Sequence, residues 1–232
     1  MHIGVLDSGI GGLALLAELV RKYPDNRFTY YSDNRYAPYG SRNIDYLKWR
    51  VHTVCDELKG RGAQAIALGC NTAGSNLASE LRSSYSLPIA AVSPEAYPER
   101  EKTLIMCTPL TALSRGVREY VERGAAVYAD PALVPLIERH RFDLRPVAEY
   151  VLPKLKEYSP EAVSLGCTHY VYLAEYVSSA LGVRLYDGCA RAASELAPFA
   201  GGCGDGSVTF VFSGENEREA YEFLLNKLLS RD

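Results

Sequence analysis

No stretch of this 232-residue chain approaches the roughly 20 consecutive apolar residues that would span a bilayer. The six cysteines, at positions 55, 70, 107, 167, 189 and 203, form no C-x-x-C pair. That argues against a zinc ribbon or a thioredoxin-type dithiol, so no metal is expected. No charge of one sign dominates: the net charge is −3. Such a chain has no global attraction to nucleic acid or to an anionic membrane, and neither is expected as a partner. The run Gly9-Ile10-Gly11-Gly12 lacks both the G-x-G-x-x-G spacing and a P-loop lysine, which argues against a nucleotide site. Low-complexity tracts and long Gly/Ser linkers are missing too. The opening MHIGVLDSGIGG has no basic region, apolar core or cleavage site, so it is expected to be a first strand rather than a signal peptide.

What remains is an ordinary globular composition, 47% hydrophobic and 23% charged, in a chain long enough for a sizeable core. Such a chain needs no disulfide framework. Its cysteines are therefore expected to be reduced thiols in a cytoplasmic protein.

Two segments repeat each other. AIALGCNT ends on Cys70, Asn71 and Thr72, and AVSLGCTH ends on Cys167, Thr168 and His169. Cys70 and Cys167 are 97 positions apart, and the same offset carries Asp33 onto Asp130 and Pro38 onto Pro135. A period near 100 residues is too long for a solenoid and implies two similar domains. Apolar runs predict strands at 2–6, 27–32, 64–69, 88–92, 102–106, 125–128, 161–165, 183–186 and 207–212. Helical periodicity is clear at 11–23, with Leu13, Leu16, Leu19 and Val20 on one face, and again at 215–229. Strand–helix alternation with continuous apolar strands implies an α/β fold of two doubly wound parallel sheets related by a pseudo-twofold axis. The last strand and helix have no counterpart in the repeat. We therefore expect residues 1–96 plus 207–232 to form one domain and 97–206 the other, with GGCGDG at 201–206 as the crossover loop.

Ligands of open α/β sheets sit beyond the carboxyl ends of the strands. The residues expected there are Asp7, Ser8, Asp33, Cys70, Asn71, Thr72, Ser93, Thr108, Asp130, Cys167, Thr168, His169 and Asp187. The site is thus expected in the cleft between the domains. Two thiols facing one ligand suit inversion at a carbon stereocentre, one removing a proton while the other delivers one to the opposite face. Asp7 is placed to assist Cys70, and His169 to assist Cys167. Asp33 and Asp130 are open to a second reading as helix or turn caps. The remaining cysteines read as core residues.

IGVLDSGIGGL, YYSDNRYAPYG, GCNTA, VSP, VPLIE and GCTHY, in this order over essentially the whole chain, resemble the cofactor-independent glutamate racemases of the aspartate/glutamate racemase superfamily. The spacing of Thr108, Thr111 and Ser114 is similar as well. The resemblance implies that Cys70 takes the α-proton of D-glutamate and Cys167 that of L-glutamate. It implies that Asp7 assists Cys70, and that His169 with Glu138 assists Cys167. Asp7, Ser8, Tyr39, Gly40, Asn71, Thr72, Thr108, Thr168 and His169 would contact substrate. It further implies no cofactor, a homodimer, and D-glutamate supply for peptidoglycan. Racemisation of another acidic amino acid such as aspartate, or gyrase binding as a regulatory protein, is the alternative.

Overall fold

In a computed structural model, residues 1–201 and 204–230 are described. Gly202 and Cys203, in the expected crossover loop, lie outside them. Among the described residues there are nine strands: β1 (His2–Asp7), β2 (Arg27–Ser32), β3 (Ala65–Leu68), β4 (Ile89–Ala91), β5 (Thr103–Cys107), β6 (Ala126–Ala129), β7 (Ala162–Gly166), β8 (Arg184–Tyr186) and β9 (Val208–Phe212). Each falls within a residue or so of its predicted run.

They form two all-parallel sheets, with orders β4-β3-β1-β2-β9 and β6-β5-β7-β8. Read in reverse, the second order is β8-β7-β5-β6. The repeat therefore survives as topology: β5 takes the place of β1, β6 of β2, β7 of β3 and β8 of β4. The unmatched strand β9 pairs with β2, so the chain finishes in the sheet where it began.

Helices cover both faces, as buried parallel strands require. Asn43 caps the helix Ile44–Gly60 by accepting the Tyr46 N–H at 2.8 Å, and Ser114 caps Arg115–Glu122. One helix is buried more widely than its sequence face implied. In Leu13–Lys22, Ala14, Leu15 and Ala17 are buried with Leu13, Leu16 and Leu19, whereas Val20 is only half-buried. The cause is that this helix packs on the helices Cys189–Ser194 and Arg218–Leu229 as well as on its sheet.

The halves share one core. Ile3 and Val5 of β1 belong to the same cluster of buried side chains as Leu104 and Met106 of β5. That continuity fixes how the sheets face each other. In each sheet the chain runs outward on one side of the first strand and returns on the other, so a crevice opens between β1 and β3 and between β5 and β7. Asp7 ends β1, Cys70 follows β3, Thr108 follows β5 and Cys167 follows β7. Among the described residues no helix is long and apolar enough to cross a membrane.

Candidate active site

Cys70 occupies the cap position of the helix Asn71–Ser84, with extended backbone (φ −91°, ψ 118°). The Thr72 and Ala73 N–H groups, in the first turn of that helix, favour the charged form of its sulfur. Burial pushes its thiol well above the ordinary range, and the charges of Asp7 and Cys167 push the same way. The two N–H groups oppose that shift. Cys70 is 7% exposed and Cys167 is 6% exposed, and each of the five described cysteines is a free thiol.

Cys167 has a different neighbourhood. His169 Nδ1 is 3.8 Å from its sulfur, and His169 Nε2 is 2.6 Å from Glu138 Oε1. Burial works against charge on His169, but the Cys167 sulfur and the Glu138 carboxylate outweigh it and hold the imidazolium well above its usual range. Burial likewise resists the charge on Glu138, and His169 more than compensates, so this carboxyl lies below its usual range. Glu138 Oε1 also accepts the Ile10 N–H at 3.0 Å, a contact between the two halves.

Asp7 is fully buried. Burial raises its carboxyl from 3.8 to about 6, while the charge of His169 and the Gly9 N–H pull it down. That N–H donates to Asp7 Oδ1 at 2.7 Å, and Thr168 Oγ1 lies 3.4 Å from Oδ2. Asp7 acts on Cys70 through its charge.

Thr72 and Thr108 bring the halves together from the other side. Their hydroxyl oxygens are 3.0 Å apart, and Thr111 Oγ1 closes the triangle at 2.9 Å from Thr108 and 3.2 Å from Thr72. Ser114, the last member of the Thr108–Thr111–Ser114 pattern, is instead a helix cap. Asn71 is buried, yet neither its amide oxygen nor its amide nitrogen has a partner in the protein. A buried amide left unpaired costs about 1–3 kcal/mol, so its retention here points to a ligand that supplies the bonds.

Tyr39 is buried, and its hydroxyl donates to Asp33 Oδ2 at 2.5 Å. Arg50 grips the same carboxylate through Nε at 3.0 Å and Nη2 at 2.6 Å. Asp33 therefore anchors the Tyr39 segment. Asp130 accepts from Tyr128, Tyr150 and the Ala132 N–H, and Asp187 accepts the Cys189 N–H. Of the aspartates expected at the strand ends, Asp7 is the one brought among the thiols, Thr168 and His169.

Four features went unread in the sequence. A side chain on Gly9 would sit 2.0 Å from Glu138 Oε1, and one on Gly11 would sit 2.3 Å from His169 Nδ1. These glycines let the loop after β1 close onto the acid–imidazole pair of the other half. Tyr30 donates to the Gly9 carbonyl at 2.7 Å and Tyr172 to the Ile10 carbonyl at 2.9 Å, fixing that loop. The glycine run was visible but has no meaning without its partner across the cleft.

A cavity of about 700 Å³ opens here, lined by Ser8, Gly9, Pro38, Val134, Glu138 and His169 among others. Its size suits a small metabolite. Neither thiol is among the residues that line it. Among the described residues, no three His, Cys, Asp or Glu side chains gather to hold a metal ion.

Residues 3–196 match the model of the Asp/Glu/hydantoin racemase family. The chain belongs to that family. Among its relatives, the glutamate racemase of Campylobacter curvus is 37% identical over 210 residues, 81% of this chain and 79% of that protein. A glutamate racemase crystal structure from Bacillus anthracis aligns with a TM-score of 0.82 at 25% identity, covering 99% of this chain and 94% of that one. One from Thermus thermophilus, in complex with β-chloro-D-alanine, aligns at 0.77 with 28% identity, covering 99% and 93%.

Proposed function

We propose that this chain interconverts L- and D-glutamate by proton transfer at Cα between Cys70 and Cys167. The observation that carries the reading is the placement of the thiols. Each follows the equivalent strand of its own sheet, Cys70 against two helix N–H groups and Cys167 against the His169–Glu138 pair. The names of the relatives support glutamate as substrate.

From D-glutamate, the Cys70 thiolate takes the α-proton and becomes a thiol. The electron pair of the broken C–H bond delocalises into the α-carboxylate. Cys167 gives its proton to the opposite face, leaving a thiolate, and L-glutamate departs. From L-glutamate the roles exchange. The developing negative charge needs preorganised donors, and the orphaned Asn71 amide with the N–H groups opening its helix supplies them. Asp7, with its carboxyl near 6, is largely ionised at neutral pH and is available to the substrate ammonium or to a proton from Cys70. Ser8, Tyr39, Gly40, Thr72, Thr108, Thr168 and His169 complete the substrate contacts in this reading. The same reading has the enzyme act in the cytosol as a homodimer that supplies D-glutamate for peptidoglycan.

The test is incubation of the purified protein with L-glutamate in D₂O and no added cofactor, followed by circular dichroism and by the NMR signal of the α-proton. Loss of optical activity together with exchange of that proton is expected. Retention of both signals, or faster turnover of aspartate, would remove the assignment.

A further inference from the structure

Arg141 stands just past the helix Leu133–Arg139 that carries Glu138. Its guanidinium reaches two carboxylates at the cavity mouth: Glu217 Oε1 at 2.5 Å and Glu138 Oε2 at 3.9 Å. Glu217 immediately precedes the helix Arg218–Leu229, which packs on Leu13–Lys22 beside the β1 sheet. The Arg141–Glu217 pair therefore runs across the mouth from one half to the other, and all three side chains line the cavity with His169.

We propose that Arg141, gripped by Glu217 from across the mouth, is a positioning residue for the Glu138–His169–Cys167 arm and reaches the Cys70 arm only indirectly, through the charges of that arm. Glu138 Oε1 is already shared between His169 and the Ile10 N–H, while Oε2 turns toward Arg141. A terminal carboxylate torsion is soft, so contacts at both oxygens are what fix its plane against the imidazole. Glu217 does for Arg141 what Arg141 does for Glu138. On the opposite arm, the charges acting on Cys70 are those of Asp7 and Cys167.

The charged groups facing this corner are His169, Cys167 and Asp7 around Glu138, with Arg35 and Glu215 at the mouth. Tyr30 and Tyr221 also feel the Glu138 charge from the β1 side, and both hydroxyls stay protonated near neutrality. Removing the Arg141 cation takes away a charge that favours the Glu138 carboxylate and the contact that holds its second oxygen. The two enantiomers have equal free energies in water, so kcat/KM stays equal in both directions for any variant. A one-sided effect must appear in kcat and KM taken separately.

This inference rests on the reading of Cys167 as the base for L-glutamate. The experiment measures kcat against pH at saturating L- and D-glutamate for Arg141→Gln, Arg141→Lys and Glu217→Gln. For Arg141→Gln, kcat from L-glutamate is expected to fall about tenfold with its ascending limb moved to higher pH, while kcat from D-glutamate changes less than about threefold. Arg141→Lys should recover most of the loss, and Glu217→Gln should show the same bias more weakly. Equal effects in both directions, no effect, or a lysine variant no better than glutamine would overturn the proposal. Should Arg141→Gln fail to fold, Glu217→Gln decides alone by the same criterion. Turnover retained in Cys167→Ala would remove the two-thiol reading itself. A dead Cys167→Ala with an unbiased Arg141→Gln would remove only the role of Arg141.

Discussion

Glu138 and His169 face each other at 2.6 Å, and the far nitrogen of the same imidazole lies 3.8 Å from the Cys167 sulfur. Among the described residues nothing like this imidazole stands beside Cys70, which has helix N–H groups and the Asp7 charge instead. The strand repeat makes the thiols equivalent in position, and their neighbours make them unequal in chemistry. An enzyme that binds two mirror-image substrates in one asymmetric cleft needs that inequality.

Cys70→Ala and Cys167→Ala should each lower racemisation by about 10²–10⁴-fold, as expected for loss of an acid–base group. The double variant should be hardly worse than either single one, because the two groups act as a unit. Chiral chromatography of the product checks both statements. A single variant with near-normal turnover would refute the mechanism.

Gly11→Ala tests the close approach of the β1 loop. The added methyl would lie 2.3 Å from His169 Nδ1 and 2.8 Å from Thr168 Oγ1. Displacing the imidazole by about 1 Å should cost on the order of 10²-fold in kcat. Gly116→Ala, where the space is open, serves as control and should leave kcat within about twofold.

Asn71→Ala should raise KM and lower kcat while leaving stability nearly unchanged. Its amide has no protein partner to strand, so removal relieves an unpaired polar group rather than creating one. Urea unfolding and steady-state kinetics, measured together, separate the outcomes. A loss of more than about 2 kcal/mol in stability would show a structural role instead.

Asp7 makes a signed prediction about pH. Its carboxyl is raised from 3.8 to about 6 in the folded protein. The native state therefore holds more protons than the unfolded chain between those values. The associated stability is full below about pH 4 and is lost as pH rises through 6, amounting to about 3 kcal/mol. Glu138, held below its usual range, contributes in the opposite sense and loses stability as pH falls. The difference in unfolding free energy between Asp7→Asn and the parent isolates the first group. It should move in favour of the variant from pH 4 to 7, and a flat difference would contradict the assignment.

Arg50→Met should be costly. Arg50 and Asp33 pair with side chains 6% and 0% exposed, so the variant strands a buried carboxylate and should lose about 3–5 kcal/mol. Arg115→Met, from a pair 89% and 53% exposed, should cost under about 1 kcal/mol. Comparable losses in the two variants, read from urea midpoints, would show that the Asp33 network does not anchor the Tyr39 segment.

The nine strands, the 97-residue repeat and the position of both thiols could be read from the chain because they are local properties. An apolar run ending in Gly-Cys declares a strand end wherever it packs. Asp33, Asp130 and Asp7 all lie at strand ends and look alike in sequence. Only packing separates Asp7, beside the thiols, from Asp33 on Arg50 and Asp130 on its tyrosines. Val20 illustrates the same limit: helical period marks an apolar face but not how many neighbours surround it.

By itself, then, the sequence determined two parallel α/β halves with a thiol at the matching strand end of each. The tertiary structure decided what surrounds each thiol. The close approach at Gly9 and Gly11 has meaning only against Glu138 and His169, well over a hundred residues away, and Arg141 meets Glu217 only across the mouth. Such contacts leave no periodic trace along the chain. They exist because one continuous core holds the two sheets face to face, bringing residues with no local relation within a few ångströms of each other.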